Sequence, residues 1–204
     1  MRRKKKETVA AIPSSKSGKR RKIILEAFHD CIIREGYSKT SLQDVAEAAE
    51  MTPSHLLYYF SGKSAMLEFY FESVSQRIMD RIDGFRHESP ARQVELLADL
   101  YFAGKGITNA ETGFMLECFG VAVHSNSLHG EKAKLDRFGK THLEELFTAA
   151  GCSRAAATDR AEEAYALLVG LRTSAFFDSR MSLRRARNLF RATVLGFADF
   201  GETN

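Results

Sequence analysis

Ser41–Phe60 reads Ser-Leu-Gln-Asp-Val-Ala-Glu-Ala-Ala-Glu-Met-Thr-Pro-Ser-His-Leu-Leu-Tyr-Tyr-Phe, and its spacing predicts two short helices joined by a tight turn. Ser41 is a helix cap, and Asp44 stands three residues on in capping-box position. Leu42, Val45, Ala46 and Ala49 then recur at helical spacing and are expected to face inward. Thr52-Pro53 opens the second helix with a hydroxyl cap, followed by a proline whose missing N–H costs nothing at the first helical position. On that helix Leu56, Leu57 and Phe60 are expected on one side, leaving Ser54, His55, Tyr58 and Tyr59 for the other. Ala46 and Ala49 are small enough to let the two helices approach closely. The pattern is that of a helix-turn-helix.

In DNA-binding units of this kind the second helix enters the major groove and the first crosses the backbone. Gly36-Tyr37, Thr40-Ser41, Asp44-Val45-Ala46, Ala49, Met51-Thr52, Tyr58-Tyr59-Phe60 and Lys63 resemble the DNA-binding domain of the TetR family of bacterial transcriptional regulators, over roughly residues 20–67. Two positions depart from the family pattern. Glu50 stands where the turn usually holds glycine, so a residue with a Cβ is expected to accept a left-handed conformation there. Leu57 replaces the first aromatic of the run, which removes one phosphate-contacting hydroxyl. The roles expected are these: Thr40, Ser41, Tyr58, Tyr59 and Lys63 hold the phosphate backbone, and Thr52, Pro53, Ser54 and His55 lie nearest the base edges.

Charge distribution supports the same surface. Residues 1–22 hold ten Lys/Arg and one acid, Glu7, a net +9, so with +4 overall the remaining 182 residues carry −5. A basic arm beside a helix-turn-helix suits phosphate, because each neutralised phosphate releases counterions. The competing reading is a solvated tail kept for solubility. At 204 residues and 44% hydrophobic, the chain can bury a real core. It has three prolines and no strand-like alternation of any length, which points to an all-α protein of about nine helices. No apolar run approaches the ~20 residues of a membrane span, and the basic start lacks the apolar stretch of a secretory signal. Cys31, Cys118 and Cys152 show no paired motif, which argues for a reducing, cytoplasmic setting and against disulfides or zinc.

Three divisions are expected: a disordered basic arm at 1–18, a helix-turn-helix DNA-binding domain at 19–63 with its motif at 41–60, and a helical effector-binding and dimerisation domain at 64–204. The first helix should span about 19–35 and stop at Gly36. Ser61-Gly62-Lys63-Ser64 superficially matches the end of a phosphate-binding loop, but Leu57 stands where that motif needs glycine and no strand precedes it. Ser64 is instead expected to cap a helix running to about Phe85, with Leu67, Phe71, Val74, Ile78, Ile82 and Phe85 as its stripe. Further helices are expected at about 90–104, 111–124, 131–150, 154–177 and 182–200. The 111–124 segment is apolar nearly all round and is expected to be buried. The last helix offers Leu183, Ala186, Phe190, Thr193, Phe197 and Phe200.

The last two helices carry apolar stripes and small residues, Ala164, Gly170, Ser174 and Ala175, and look like half of a four-helix bundle completed by a second copy. One short recognition helix reads few bases, and a two-fold dimer doubles the site. The family resemblance implies the same dimer, and a small-molecule pocket between the middle helices. The candidate lining is Phe102, Phe114, Met115, Glu117, Phe119 and Tyr165, set against ordinary core packing for any one aromatic. If Glu117 is buried it needs a partner such as His124, Arg172 or a cationic ligand; if it turns outward it carries no such role. His124, His129 and Glu131 have no metal-ligand spacing.

The function expected is a cytoplasmic, homodimeric, sequence-specific DNA-binding regulator, a repressor that a small-molecule effector releases from its operator. The alternative keeps the fold but drops the effector: an architectural or cell-cycle DNA binder. No nucleophile–base pair, metal constellation or phosphate loop is found, so no enzyme, cofactor, metal or membrane partner is expected.

Overall fold

A computed structural model describes residues 16–104 and 106–198. Among these the chain forms nine α-helices and no strand: α1 (Lys16–Glu35), α2 (Leu42–Ala48), α3 (Pro53–Tyr59), α4 (Lys63–Asp83), α5 (Pro90–Phe102), α6 (Asn109–Ala122), α7 (Asn126–Ala149), α8 (Arg154–Phe177) and α9 (Leu183–Leu195). Contacts group them into two compact units. One comprises the chain up to Arg77 together with Phe114–Glu131; the other comprises Ile78–Gly113 and the chain from Lys132 on. α4, α6 and α7 each give one end to either unit.

In the first unit, α1 packs on both α2 and α3. Its buried Ile24, Leu25, Phe28, Cys31 and Ile32 meet Val45, Ala46 and Ala49 of α2 and Leu56 and Phe60 of α3 in the apolar interior. Burial raises the Cys31 thiol pKa, so this cysteine behaves as core, not as a nucleophile. α6 joins through Phe114, which meets Tyr70 of α4 edge-on at 4.4 Å, and His29 of α1 stacks on the same Tyr70 at 5.4 Å. In the second unit, α5, α8 and α9 pack together, with Val94, Leu97, Ala161, Leu168, Phe190 and Val194 buried. Arg187 and Arg191 of α9 reach Asp99 and Glu95 of α5, each at 2.6 Å.

Several expectations are corrected. Lys16–Gly18 belong to α1, and the rest of the expected arm, residues 1–15, lies outside the described residues. Ser64 does not cap α4: the Gly62 carbonyl accepts the first helical bond, from Met66 N–H at 3.2 Å, and Ser64 sits within the helix. α4 ends at Asp83, leaving half-buried Phe85 in the following turn. α5 ends at Phe102, short of Gly104. α6 starts at Asn109 because Thr108 and Glu111 form a reciprocal capping box, 2.9 Å and 3.1 Å. α7 starts at Asn126, capped by Ser125, not at Glu131. α6 is not buried all round, since Glu117 and Gly120 are exposed on it, as is Val123 just beyond. On α9, Val194 and not Thr193 faces the core, and Phe200 lies outside the described residues.

Candidate nucleic-acid interface

Local capping chemistry fixes the helix-turn-helix. Ser41 adopts an extended backbone (φ −101, ψ 165), its hydroxyl accepts the Asp44 N–H, and the Asp44 carboxylate accepts Ser41 N–H at 2.8 Å and the Ser41 hydroxyl at 2.7 Å. Those bonds hold the Asp44 carboxyl below its usual pKa range. At the other end of α2, Glu50 N–H donates to Glu47 O at 3.0 Å and Met51 N–H to Ala46 O at 2.9 Å. This is a Schellman ending with Glu50 as its left-handed residue, φ 55, as the glycine-to-glutamate departure implied. Thr52 then caps α3, its oxygen accepting His55 N–H at 3.2 Å, and Pro53 takes the first helical position.

α3 presents its outer side to solvent. Ser54, His55 and Tyr58 are exposed, Tyr58 at 81% of its surface. Tyr59 is half-buried and holds an edge contact with Tyr58 at 5.2 Å. Leu57 is corrected: it is 45% exposed and lies outward, while Leu56 and Phe60 alone anchor the helix. Adjacent residues point about 100° apart on an α-helix, and α3 rests on α1 and α2 along one side, so Leu56 turns inward and Leu57 outward. Lys19, Arg20 and Lys22 are exposed on α1, and the Arg21 guanidinium lies over the Phe60 ring at 5.3 Å.

Two expected phosphate ligands have internal work. Thr40 is 1% exposed, and its hydroxyl donates to Gly36 O at 2.9 Å. The Lys63 ammonium donates to Tyr37 O and Thr40 O, both at 2.8 Å, and sits 4.3 Å from the centre of the Tyr37 ring. The Tyr37 hydroxyl meets Ser64 Oγ at 3.2 Å. Lys63 therefore spends two of its three donors on the α1–α2 loop. The lysine signal was legible in the sequence; its partners were not, because they are backbone carbonyls.

The six candidate pocket residues divide between the units. Phe114, Met115, Glu117 and Phe119 belong to the first, and Phe102 and Tyr165 to the second. Glu117 is exposed and accepts Tyr37 N–H at 3.1 Å. Phe102 is buried against Phe190 at 5.9 Å. The Tyr165 hydroxyl donates to Asp136 at 2.5 Å; burial, then that bond, raises its pKa. Gly139 makes room for this ring, because a Cβ there would lie 2.8 Å from it. Arg172 is 6% exposed and donates to Ile107 O at 3.1 Å and Thr108 O at 3.0 Å, tying α8 to the loop before α6. A cavity of about 200 Å³ in the second unit is lined by Arg86, Gln93, His142, Glu145, Leu146 and Ala149, none of them among the six. Sequence reading missed it: a histidine on an amphipathic helix carries no signal of its own. Among the described residues no cluster of three or more His, Cys, Asp or Glu is placed to hold a metal ion, and no helix is long and apolar enough to cross a membrane.

Comparison with known proteins decides the family. A family model described as bacterial regulatory proteins, tetR family, matches residues 24–69, and one described as BetI-type transcriptional repressor, C-terminal, matches residues 90–198, more than half the chain. The chain belongs to the TetR family of transcriptional regulators. It is a DNA-binding regulator and not an enzyme. Solved structures share its fold. A transcriptional regulator from a Rhodococcus species is 22% identical, with 88% of this chain and 97% of that one covered and a TM-score of 0.75. A regulator from Pseudomonas aeruginosa PAO1 is 18% identical, covering 90% and 92%, with a TM-score of 0.77. One from Saccharomonospora viridis, solved in complex with choline, is 18% identical, covering 86% and 95%, with a TM-score of 0.76. No curated protein gives a significant match.

Proposed function

We propose that this TetR-family regulator is a cytoplasmic homodimeric repressor, released from its operator by a small-molecule effector. The observation that carries the DNA-reading half is the outer face of α3. Ser54, His55 and Tyr58 stand exposed there on a helix anchored from beneath by buried Leu56 and Phe60. Thr52 and Pro53 at its start lie nearest the base edges with Ser54 and His55. Ser41, Tyr58 and Tyr59 hold the phosphates; Thr40 acts through its backbone, and Lys63 through its remaining donor. The expected basic arm, whose residues 16–18 belong to α1, adds affinity that is independent of sequence.

Dimerisation through α8 and α9 is supported by the residues they leave exposed. Ala166, Gly170 and Ser174 on α8, and Leu189, Ala192 and Gly196 on and just after α9, are small and apolar groups left exposed. Such groups allow helices of two protomers to approach closely. An effector is supported by the choline complex of the Saccharomonospora viridis regulator, which shares this fold. Phe114, Met115 and Phe119, all in the first unit, remain lining residues proposed for it.

Selection of genomic fragments with the purified protein tests the reading, followed by release assays against a metabolite panel. The expected result is enrichment of a two-fold symmetric site, bound by two protomers and released by one compound. A protein that stays monomeric, or enriches no fragment, contradicts the proposal.

A further inference from the structure

The contact between Glu117 and the loop that leads into the helix-turn-helix has no place in the roles assigned so far. α1 ends at Glu35, and Gly36 follows with a φ of +82, a left-handed cap closed by Gly36 N–H to Ile32 O at 2.7 Å. A cap closed by that single bond leaves the next N–H, that of Tyr37, without a carbonyl from its own helix. Here that N–H donates to the Glu117 carboxylate of α6 at 3.1 Å. The other Glu117 oxygen lies 3.4 Å from the point where a Gly36 Cβ would sit, an ordinary contact distance, so the left-handed φ and not space calls for glycine there. α6 thus completes the C-terminal cap of α1 across 80 residues of sequence.

The field of α1 opposes this placement. A carboxylate at a helix C-terminus meets the negative end of the macrodipole, so the hydrogen bond, and not the general field, accounts for it. On the other side of the same peptide segment, Lys63 of α4 holds Tyr37 O and Thr40 O. The loop is therefore gripped by a carboxylate from α6 on its donor and an ammonium from α4 on its acceptors. Its last residues, Thr40 and Ser41, are the ones that start α2 and face phosphate in the proposal above.

We propose that Glu117 is a positioning residue for DNA binding: through Tyr37 N–H it fixes the α1–α2 loop in the geometry that presents Ser41 and the start of α2 to the phosphate backbone. The contact is exposed, with no burial to hold it shut. The proposal rests on the DNA-facing surface described above, and its test separates the two.

Full-length Glu117→Ala and Glu117→Gln are compared with wild type by operator affinity, thermal midpoint and amide exchange at Tyr37. Loss of one hydrogen bond of ordinary net strength corresponds to roughly a fivefold change in an equilibrium. Glu117→Ala is expected to weaken operator binding by about that factor and to speed exchange at Tyr37 by a similar one. Glu117→Gln keeps an acceptor and is expected to stay within about twofold on both. Wild-type affinity in Glu117→Ala, or equal weakening in both variants, overturns the proposal. Unchanged Tyr37 exchange in Glu117→Ala overturns it independently of any DNA. If the exchange responds while wild type itself selects no operator, the fault lies with the surface reading and not with the Glu117 contact.

Discussion

The head, α1 to α3, and the body around α5, α8 and α9 are both helical, but different forces specify them. In the helix-turn-helix of the head the capping groups lie at the surface and act within a few residues: Ser41 with Asp44, Thr52 with His55, Glu50 closing the turn. Its interior is purely apolar apart from Thr40. In the body, by contrast, several polar groups are buried, and Arg172 acts over a long distance in sequence. Arg172 holds carbonyls 64 and 65 residues away, and His142, Gln93 and Glu111 all lie in the interior. A surface that must meet DNA in one fixed shape is set by local rules that tolerate little. A body with polar groups inside has interactions that a change in protonation or a bound molecule can rearrange.

The largest effect expected from this contrast is at Arg172. Replacing it with Met leaves two carbonyls and the nearby Glu111 carboxylate without their cation, and should destabilise the body by about 3 kcal/mol. Denaturant unfolding should show the loss; a cost no larger than that of an exposed arginine would remove the contrast.

His142 comes next. It is 2% exposed, and burial first, then the Arg86 charge, lowers its pKa from 6.5 to about 4, against the opposing pull of Glu145 and Asp83. Between those values the unfolded chain binds a proton that the folded chain does not. Stability is therefore full above the unfolded pKa and falls as pH drops through the window. From about pH 7 to about pH 5 the loss should be about 2 kcal/mol. Thermal melts across that range check it, and His142→Leu should flatten the slope.

The smallest effect belongs to the head. Glu50→Gly relieves a left-handed backbone at a residue with a Cβ and should stabilise by about 1 kcal/mol, read as a raised denaturation midpoint. A destabilised Glu50→Gly would mean that the Glu50 side chain, and not its backbone, matters to the turn.

The same division explains what could be read in advance. Caps and turns depend on neighbours in the sequence, so Ser41, Asp44, Thr52, Pro53 and Glu50 were all legible. Leu57 was misplaced because two adjacent apolar residues on a short helix give no period to choose between them. The early starts of α6 and α7 were missed because their caps, Thr108 and Ser125, precede the apolar pattern. Glu117, Lys63 and Arg172 were visible as charges, but their partners are backbone groups far off in sequence, which no side-chain pattern encodes. Phe102 and Phe114 were ambiguous for a related reason: each reads identically as core or as the lining of a proposed effector site.

The central claim is that the outer face of α3 reads base sequence. Affinity for the selected operator and for a scrambled duplex of equal length tests it directly, with wild type and a Ser54→Ala/His55→Ala double variant at one salt concentration. The account predicts that the double variant loses roughly tenfold or more of the discrimination while keeping its scrambled-duplex affinity and its melting temperature. Discrimination equal to wild type would contradict it.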